Sequence, residues 1–114
     1  ITVDAGGQIT ATDVDSSNTD ADANDVNLTT TAGNISVGTV TAGSAGDATL
    51  NAAANITDDG SALTVLEADV LTANAAGSVT LDTTVASADI STSAAGDVDI
   101  DETIAFIERL VAAD

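Results

Sequence analysis

The chain contains no cysteine, histidine, proline, methionine, tryptophan or tyrosine, and Phe106 is its single aromatic residue. The lack of cysteine excludes disulfides and thiolate metal sites, and the lack of histidine removes the commonest general base and metal ligand. Without aromatic side chains a wide globular core cannot be anchored. Short branched side chains stacked in rows can still fill a thin core, so the composition favours a narrow cross-section.

Positive charge is nearly missing as well, since Arg109 is the only base beside 19 acidic residues and the formal net charge is −18. Such a surface repels phosphate, so we expect neither nucleic acid nor an anionic membrane as a partner. No apolar run approaches the ~20 residues that span a bilayer. The many serine and threonine hydroxyls have no histidine, lysine or cysteine to activate them, so we expect no enzymatic activity.

What the sequence does contain is a repeat. Small-residue corners fall at Gly7, Gly33, Ala54, Gly77 and Gly96, at intervals of 26, 21, 23 and 19 residues, and a polar and then a β-branched residue follows each corner. Three short runs of alternating apolar and polar residues fill a typical interval. Self-similarity at this period predicts a parallel β-solenoid, an all-β fold whose coils stack about 4.8 Å apart.

We therefore predict a short solenoid of about five partial coils over residues 1–101, with an acidic loop inserted at residues 12–25. The alternative is an antiparallel, Ig-like β-sandwich, because short strands separated by turn signals also fit that fold. The recurring corner and the lack of tryptophan, tyrosine and proline favour the solenoid.

Residues 102–114 depart from the repeat. They contain no glycine, and Ile104, Ile107 and Leu110 follow one another at helical spacing. Glu102 suits the first turn of a helix, and Arg109 lies near its end. The spacing predicts a short amphipathic helix.

The phrases TAGNISVGTV, AAGSVTLDTTV and SADISTSAAGDVDIDE carry a resemblance. The pattern, over about residues 26–102, resembles the repeats of filamentous-haemagglutinin-like proteins and giant bacterial surface proteins. The resemblance implies an extracellular, parallel β-helical segment of an adhesin or filament. No catalytic residue carries over from it.

Acidic residues form two groups that suggest calcium, the one cofactor for which the sequence gives a reason, because calcium takes six to eight oxygen ligands from flexible loops. The members are Asp13, Asp15, Asp20, Asp22 and Asp25 in the loop, and Asp97 and Asp99 on one face of a predicted strand. A solvated acidic surface is the alternative for both groups. Asn27, Asn34 and Asn55 each begin a glycosylation sequon, although strand positions are poor acceptors.

By elimination, these observations favour a structural role. The chain opens on a strand-like run without a methionine, so we interpret it as a processed or excised segment. We expect an extracellular subunit or segment of a self-assembling filament, surface layer or adhesive stalk, because the ends of a parallel stack expose unpaired backbone and a head-to-tail contact does not close. The residues expected to carry assembly are Ile1 and Val3 at one end and Ile104, Phe106, Ile107 and Leu110 at the other. The alternative function is a calcium-dependent adhesin or binding module that holds a cell-surface glycan or receptor.

Overall fold

The computed structural model describes residues 1–19, 21–61, 63–102 and 109–111, and within these ranges the chain is all β. The strands are β1 (Thr2–Ala5), β2 (Ile9–Asp15), β3 (Val26–Thr30), β4 (Ile35–Thr41), β5 (Ala48–Ala52), β6 (Ile56–Asp58), β7 (Leu66–Ala75), β8 (Val79–Thr92), β9 (Val98–Glu102) and β10 (Arg109–Val111).

Every strand pair among the described residues is parallel, and the chain winds through about four turns of a β-solenoid. The solenoid is confirmed, and the sandwich, which requires antiparallel pairs, is excluded. Each turn is called a coil below. Face 1 stacks β1, β3, β5, residues 71–75, residues 88–92 and β10. Face 2 stacks residues 9–11, residues 35–37, β6, residues 79–83 and β9.

The core consists of rows of apolar side chains in register from coil to coil. On face 2 the row is Ile9, Ile35, Ile56, Val79 and Val98. On face 1 it is Val3, Leu28, Leu50, Ala73 and Ile90. The middle members of both rows are fully buried. Because side chains alternate between the two sides of a strand, the apolar–polar alternation of the sequence becomes an apolar interior and a polar exterior.

The corners require small residues for two different reasons. Gly33 has a φ of 95°, a left-handed conformation that favours glycine. At Gly96 the reason is contact between coils, since an added Cβ would lie 2.5 Å from the carbonyl oxygen of Gly77. The corner predicted at Ala54 carries an alanine, and its N–H donates to the carbonyl of Gly33 at 3.0 Å.

Two boundaries differ from the prediction. The predicted acidic loop begins later than residue 12, because β2 continues to Asp15 and pairs with β4 over that stretch. The predicted helix is wrong where the chain is described: Glu102 ends β9, and Arg109–Val111 form a strand paired with β8. Backbone hydrogen bonds to the open edge of β8 favour a strand here over the helix that the spacing of the apolar residues predicts. Ile104, Phe106 and Ile107 lie outside the described residues.

Candidate assembly surface

The polar residues that follow four of the corners form a hydrogen-bonded ladder, here called the corner ladder: Asn34, Asn55, Ser78 and Asp97. Gln8 follows the first corner, and its Nε2 donates to Thr10 Oγ1 at 3.3 Å. Asn34 Oδ1 accepts the backbone N–H of Asn55 at 2.9 Å, and Asn55 Oδ1 accepts that of Ser78 at 2.8 Å. Ser78 Oγ then accepts the N–H of Asp97 at 3.1 Å. Each rung satisfies a corner N–H that strand pairing leaves free, so the ladder fixes the register of neighbouring coils.

A second ladder runs along the outside of face 1. Asn74 Nδ2 donates to Asn51 Oδ1 at 2.9 Å, and Ser91 Oγ donates to Asn74 Oδ1 at 2.6 Å. These side chains and neighbouring alanines line a shallow groove of about 310 Å³. The signal was in the sequence, because Asn51 and Asn74 are 23 residues apart, the interval between the corners Ala54 and Gly77.

Aspartates form a third ladder, which begins at the turns directly before β3 and β5. Asp25 Oδ1 accepts the N–H of Asp47 at 3.0 Å, and Asp47 Oδ1 accepts the N–H of Val70 at 3.2 Å. Gly46 is required beside them, since an added Cβ would lie 2.5 Å from the carbonyl oxygens of both Ala42 and Asn24. Asp25, predicted as a calcium ligand, thus has a structural role between coils.

Glu102 also differs from its predicted place in a helix. Its carboxylate lies on β9, where Oε2 accepts the hydroxyl of the buried Thr83 at 2.7 Å. The same oxygen accepts the N–H of Val85 at 3.2 Å. A partly buried carboxylate therefore closes the corner where β8 turns away from β9.

The predicted assembly residues at the first coil lie on open strand edges. Within the described ranges β1 pairs only with β3, and β2 only with β4. Ile1 is 51% exposed and Val3 39% exposed, although Val3 occupies the core row of face 1. At the other end Leu110 lies in β10, opposite Ile90 in the register. The first coil thus presents both unpaired backbone and apolar side chains.

Among the residues that the structure describes, the predicted calcium ligands of the acidic loop are not brought together as a metal-binding group. Asp13 and Asp15 lie on β2, where Asp15 Oδ1 accepts the hydroxyl of Ser17 at 2.6 Å and its N–H at 2.7 Å. These two hydrogen bonds, the hydroxyl's first, lower the pKa of Asp15. Asp22 is exposed, and Asp20 lies outside the described residues.

The second predicted group lies in a row of carboxylates that includes other members. Asp101 is opposite Asp82 in the register between β9 and β8, and Asp99 precedes it on the same outward side. Burial raises the pKa of Asp82, and the negative charges of Asp58, Asp101, Asp59 and Asp99 raise it further. Asp97 lies at the corner, and Asp89 on face 1. In the part of the chain described, no three acidic side chains are arranged to hold a metal ion, and calcium binding stays a prediction.

The sequon asparagines lie within strands and ladders. Asn27 is half-buried on β3 between Thr2 and Thr49 in the register. The amides of Asn34 and Asn55 hydrogen-bond each other at 3.3 Å in the corner ladder. A glycan on Asn55 would replace a hydrogen of the amide that makes this bond. In the structure the amides of Asn34 and Asn55 link neighbouring coils.

A helix that is both long and apolar enough to span a bilayer is not found among the described residues. No protein-family model, curated protein or solved structure matches this chain. The ladders, the open edges and the carboxylates are the features of the molecule that bear on its function.

Proposed function

We propose that this chain is a structural protein, an extracellular segment or subunit of a filament, surface layer or adhesive stalk that grows by parallel stacking of coils. One observation carries the proposal: β1 and β2, whose other edges have no partner within the described residues, end an uninterrupted parallel stack. An open edge of this kind recruits further strands. The extracellular location rests on the resemblance of residues 26–102 to bacterial surface-protein repeats.

The apolar side chains support the same proposal. Besides Leu63, the large apolar side chains that are exposed in the described ranges are Ile1 and Val3, and both lie at the first coil. Elsewhere the outward positions are mainly threonine, asparagine, serine and aspartate. Apolar exposure concentrated at an open edge supports the proposal that another coil covers it.

Electron microscopy of the purified chain, with calcium and with a chelator, tests the proposal. We expect filaments or end-to-end oligomers in both solutions. Their formation only with calcium would make the carboxylates part of the assembly. Isolated particles in both solutions, at every salt concentration used, would contradict self-assembly.

A calcium-dependent adhesin module is the second candidate, and the observation that favours it is the pairing of two carboxylates, Asp82 opposite Asp101 in the register between β8 and β9. A bound cation would relieve the repulsion among these carboxylates. Titration calorimetry with Ca²⁺ separates the candidates, because a binding module gives saturable, stoichiometric heat. The variant Asp82→Asn should then weaken that binding, whereas Asp22→Asn on the exposed loop should not.

A further inference from the structure

The turn that follows β6 contains a chemically reactive pair, Asp59–Gly60. No other aspartate of the sequence is followed by glycine. Because glycine has no side chain to shield its backbone nitrogen, that nitrogen can attack Cγ of the aspartate before it. Both residues are exposed, and a Cβ added at Gly60 would meet nothing within 4 Å. Neither packing nor burial therefore prevents the attack.

The reaction needs only water besides the two residues. The nitrogen of Gly60 forms a bond to Cγ of Asp59, the bond between Cγ and the carboxyl hydroxyl breaks, and that hydroxyl leaves with the amide proton as water. The product is a succinimide ring. Water then adds to one of the two ring carbonyls. Opening at Cγ restores aspartate, whereas opening at the main-chain carbonyl gives isoaspartate, in which the backbone runs through Cγ.

The folded turn binds both reacting groups. The nucleophile is engaged because the N–H of Gly60 donates to Asp58 Oδ1 at 2.8 Å. The electrophile is engaged because Asp59 Oδ1 accepts the Thr64 hydroxyl at 2.5 Å and the N–H of Ser61 at 2.9 Å. These two hydrogen bonds, the hydroxyl's first, lower the pKa of Asp59. Since a carboxylate is a poor electrophile, a lowered pKa leaves less of the reactive, protonated form.

We propose that Asp59–Gly60 is the site at which this chain forms isoaspartate when it is unfolded, and that the folded turn suppresses the reaction by holding both groups in other hydrogen bonds. Gly60 has a φ of 78°, so glycine suits the backbone of this turn although it creates the reactive pair. The hydrogen bonds of Asp58, Ser61 and Thr64 protect a residue type that the turn favours. The suppression is independent of filament assembly.

The test incubates the full chain at mildly acidic pH, folded in buffer and unfolded in concentrated urea. Mass spectrometry with electron-transfer fragmentation, which distinguishes the two isomers, locates and quantifies isoaspartate. We expect it at position 59 in the unfolded chain, and formation about tenfold slower or more in the folded chain, because the hydrogen bonds of the turn must open first. Equal rates would overturn the suppression, and faster accumulation at another aspartate in urea would overturn the site.

Variants separate the two protected groups. Thr64→Val removes the hydroxyl and should speed the reaction in the folded chain about two- to tenfold, the range that the net worth of one hydrogen bond gives. Thr64→Ser keeps a hydroxyl and should stay slow. Asp58→Ala frees the N–H of Gly60 and should also speed the reaction, whereas Asp58→Asn removes the same charge and keeps an acceptor oxygen.

The rate of each variant in urea is its own reference, so a change in intrinsic reactivity is distinguished from a change in protection. Unchanged urea denaturation midpoints show that the coils stay folded in all four variants. A folded-state rate that is the same for Thr64→Val and Thr64→Ser would overturn the protection of the carboxyl group. Equal rates for Asp58→Ala and Asp58→Asn would overturn the protection of the nitrogen.

Discussion

At the scale of the residue, the corner ladder shows how an ordinary side chain sets the register of the fold. Asn55 accepts one backbone N–H through Oδ1 and donates through Nδ2 to Asn34. Asn55→Ala should lower the free energy of unfolding by about 1–3 kcal/mol, because the Ser78 N–H at a half-buried corner loses its acceptor. Chemical denaturation measures the change. Asn18→Ala, an exposed asparagine for which no hydrogen bond is found in the described ranges, is the control and should be nearly neutral.

Gly77 is required because of that same amide. A Cβ at position 77 would overlap Asn55 Oδ1, which already serves Ser78, whereas a Cβ at Gly6 would meet nothing within 4 Å. Gly77→Ala should therefore destabilise the fold by about 1–3 kcal/mol, as overpacking does. Gly6→Ala should leave stability unchanged or raise it slightly. Equal thermal midpoints for the two variants would contradict the close approach of the coils at this corner.

The sequence identifies the ladder positions but leaves their purpose open. A polar residue after each corner is visible at Asn34, Asn55 and Ser78. Whether such a side chain faces water or the N–H of the next coil depends on corner geometry, which spacing does not encode. For the same reason Asn34 and Asn55 match glycosylation sequons while their amides take part in the ladder.

At the scale of the element, the alternation of apolar and polar residues and the period of the corners predict where the strands lie. They do not predict where a strand ends or whether neighbouring short runs join into one strand. The short runs predicted between Val79 and Thr92 form one strand, β8, which contributes to more than one side of the solenoid and pairs with β6, β7, β9 and β10. Arg109–Val111 add to its edge despite their helical spacing. In both cases the deciding factor is a distant partner strand, which a local pattern does not contain.

The core rows predict which leucines stabilise the fold. Leu50 lies in the middle of the face 1 row and is fully buried, whereas Leu63 is 94% exposed on the turn after β6. Leu50→Ala should lower the free energy of unfolding by about 2–5 kcal/mol, because it leaves a cavity between stacked coils. Leu63→Ala should change it by less than about 0.5 kcal/mol. If urea denaturation showed a comparable loss of unfolding free energy in both variants, the placement of Leu50 in a buried core row would be wrong.

At the scale of the whole molecule, the period of the corners and the lack of aromatic residues lead to the solenoid, with about four turns where about five partial coils are expected. Function is less accessible from sequence. The −18 charge gives only the expectation that nucleic acid and anionic membranes are repelled. Which carboxylates interact is fixed by the stacking of coils, as with Asp82 and Asp101, which are 19 residues apart.

Stability should therefore depend on pH in two opposed ways. The pKa of Asp82 is raised by burial and then by neighbouring carboxylates, so its ionised form is disfavoured in the folded state and stability increases as pH falls through that raised value. The pKa values of Asp15 and Asp59 are lowered, foremost by the hydroxyls of Ser17 and Thr64. Their stabilisation is present above the pKa of the unfolded chain and is lost as pH falls through the lowered values.

The free energy of unfolding should accordingly rise from about pH 7 towards mildly acidic pH and fall again below the usual aspartate pKa. Asp82→Asn should raise stability at neutral pH and flatten the rise, because the carboxylate that the fold disfavours is gone. Asp22→Asn changes the net charge equally from an exposed loop, so it separates this local effect from the general repulsion. Added salt should reduce the difference between the two variants, since screening weakens the repulsion by Asp58, Asp59, Asp99 and Asp101. If urea denaturation gave the two variants the same pH profile, the acidic row around Asp82 would be no more than part of a uniformly charged surface.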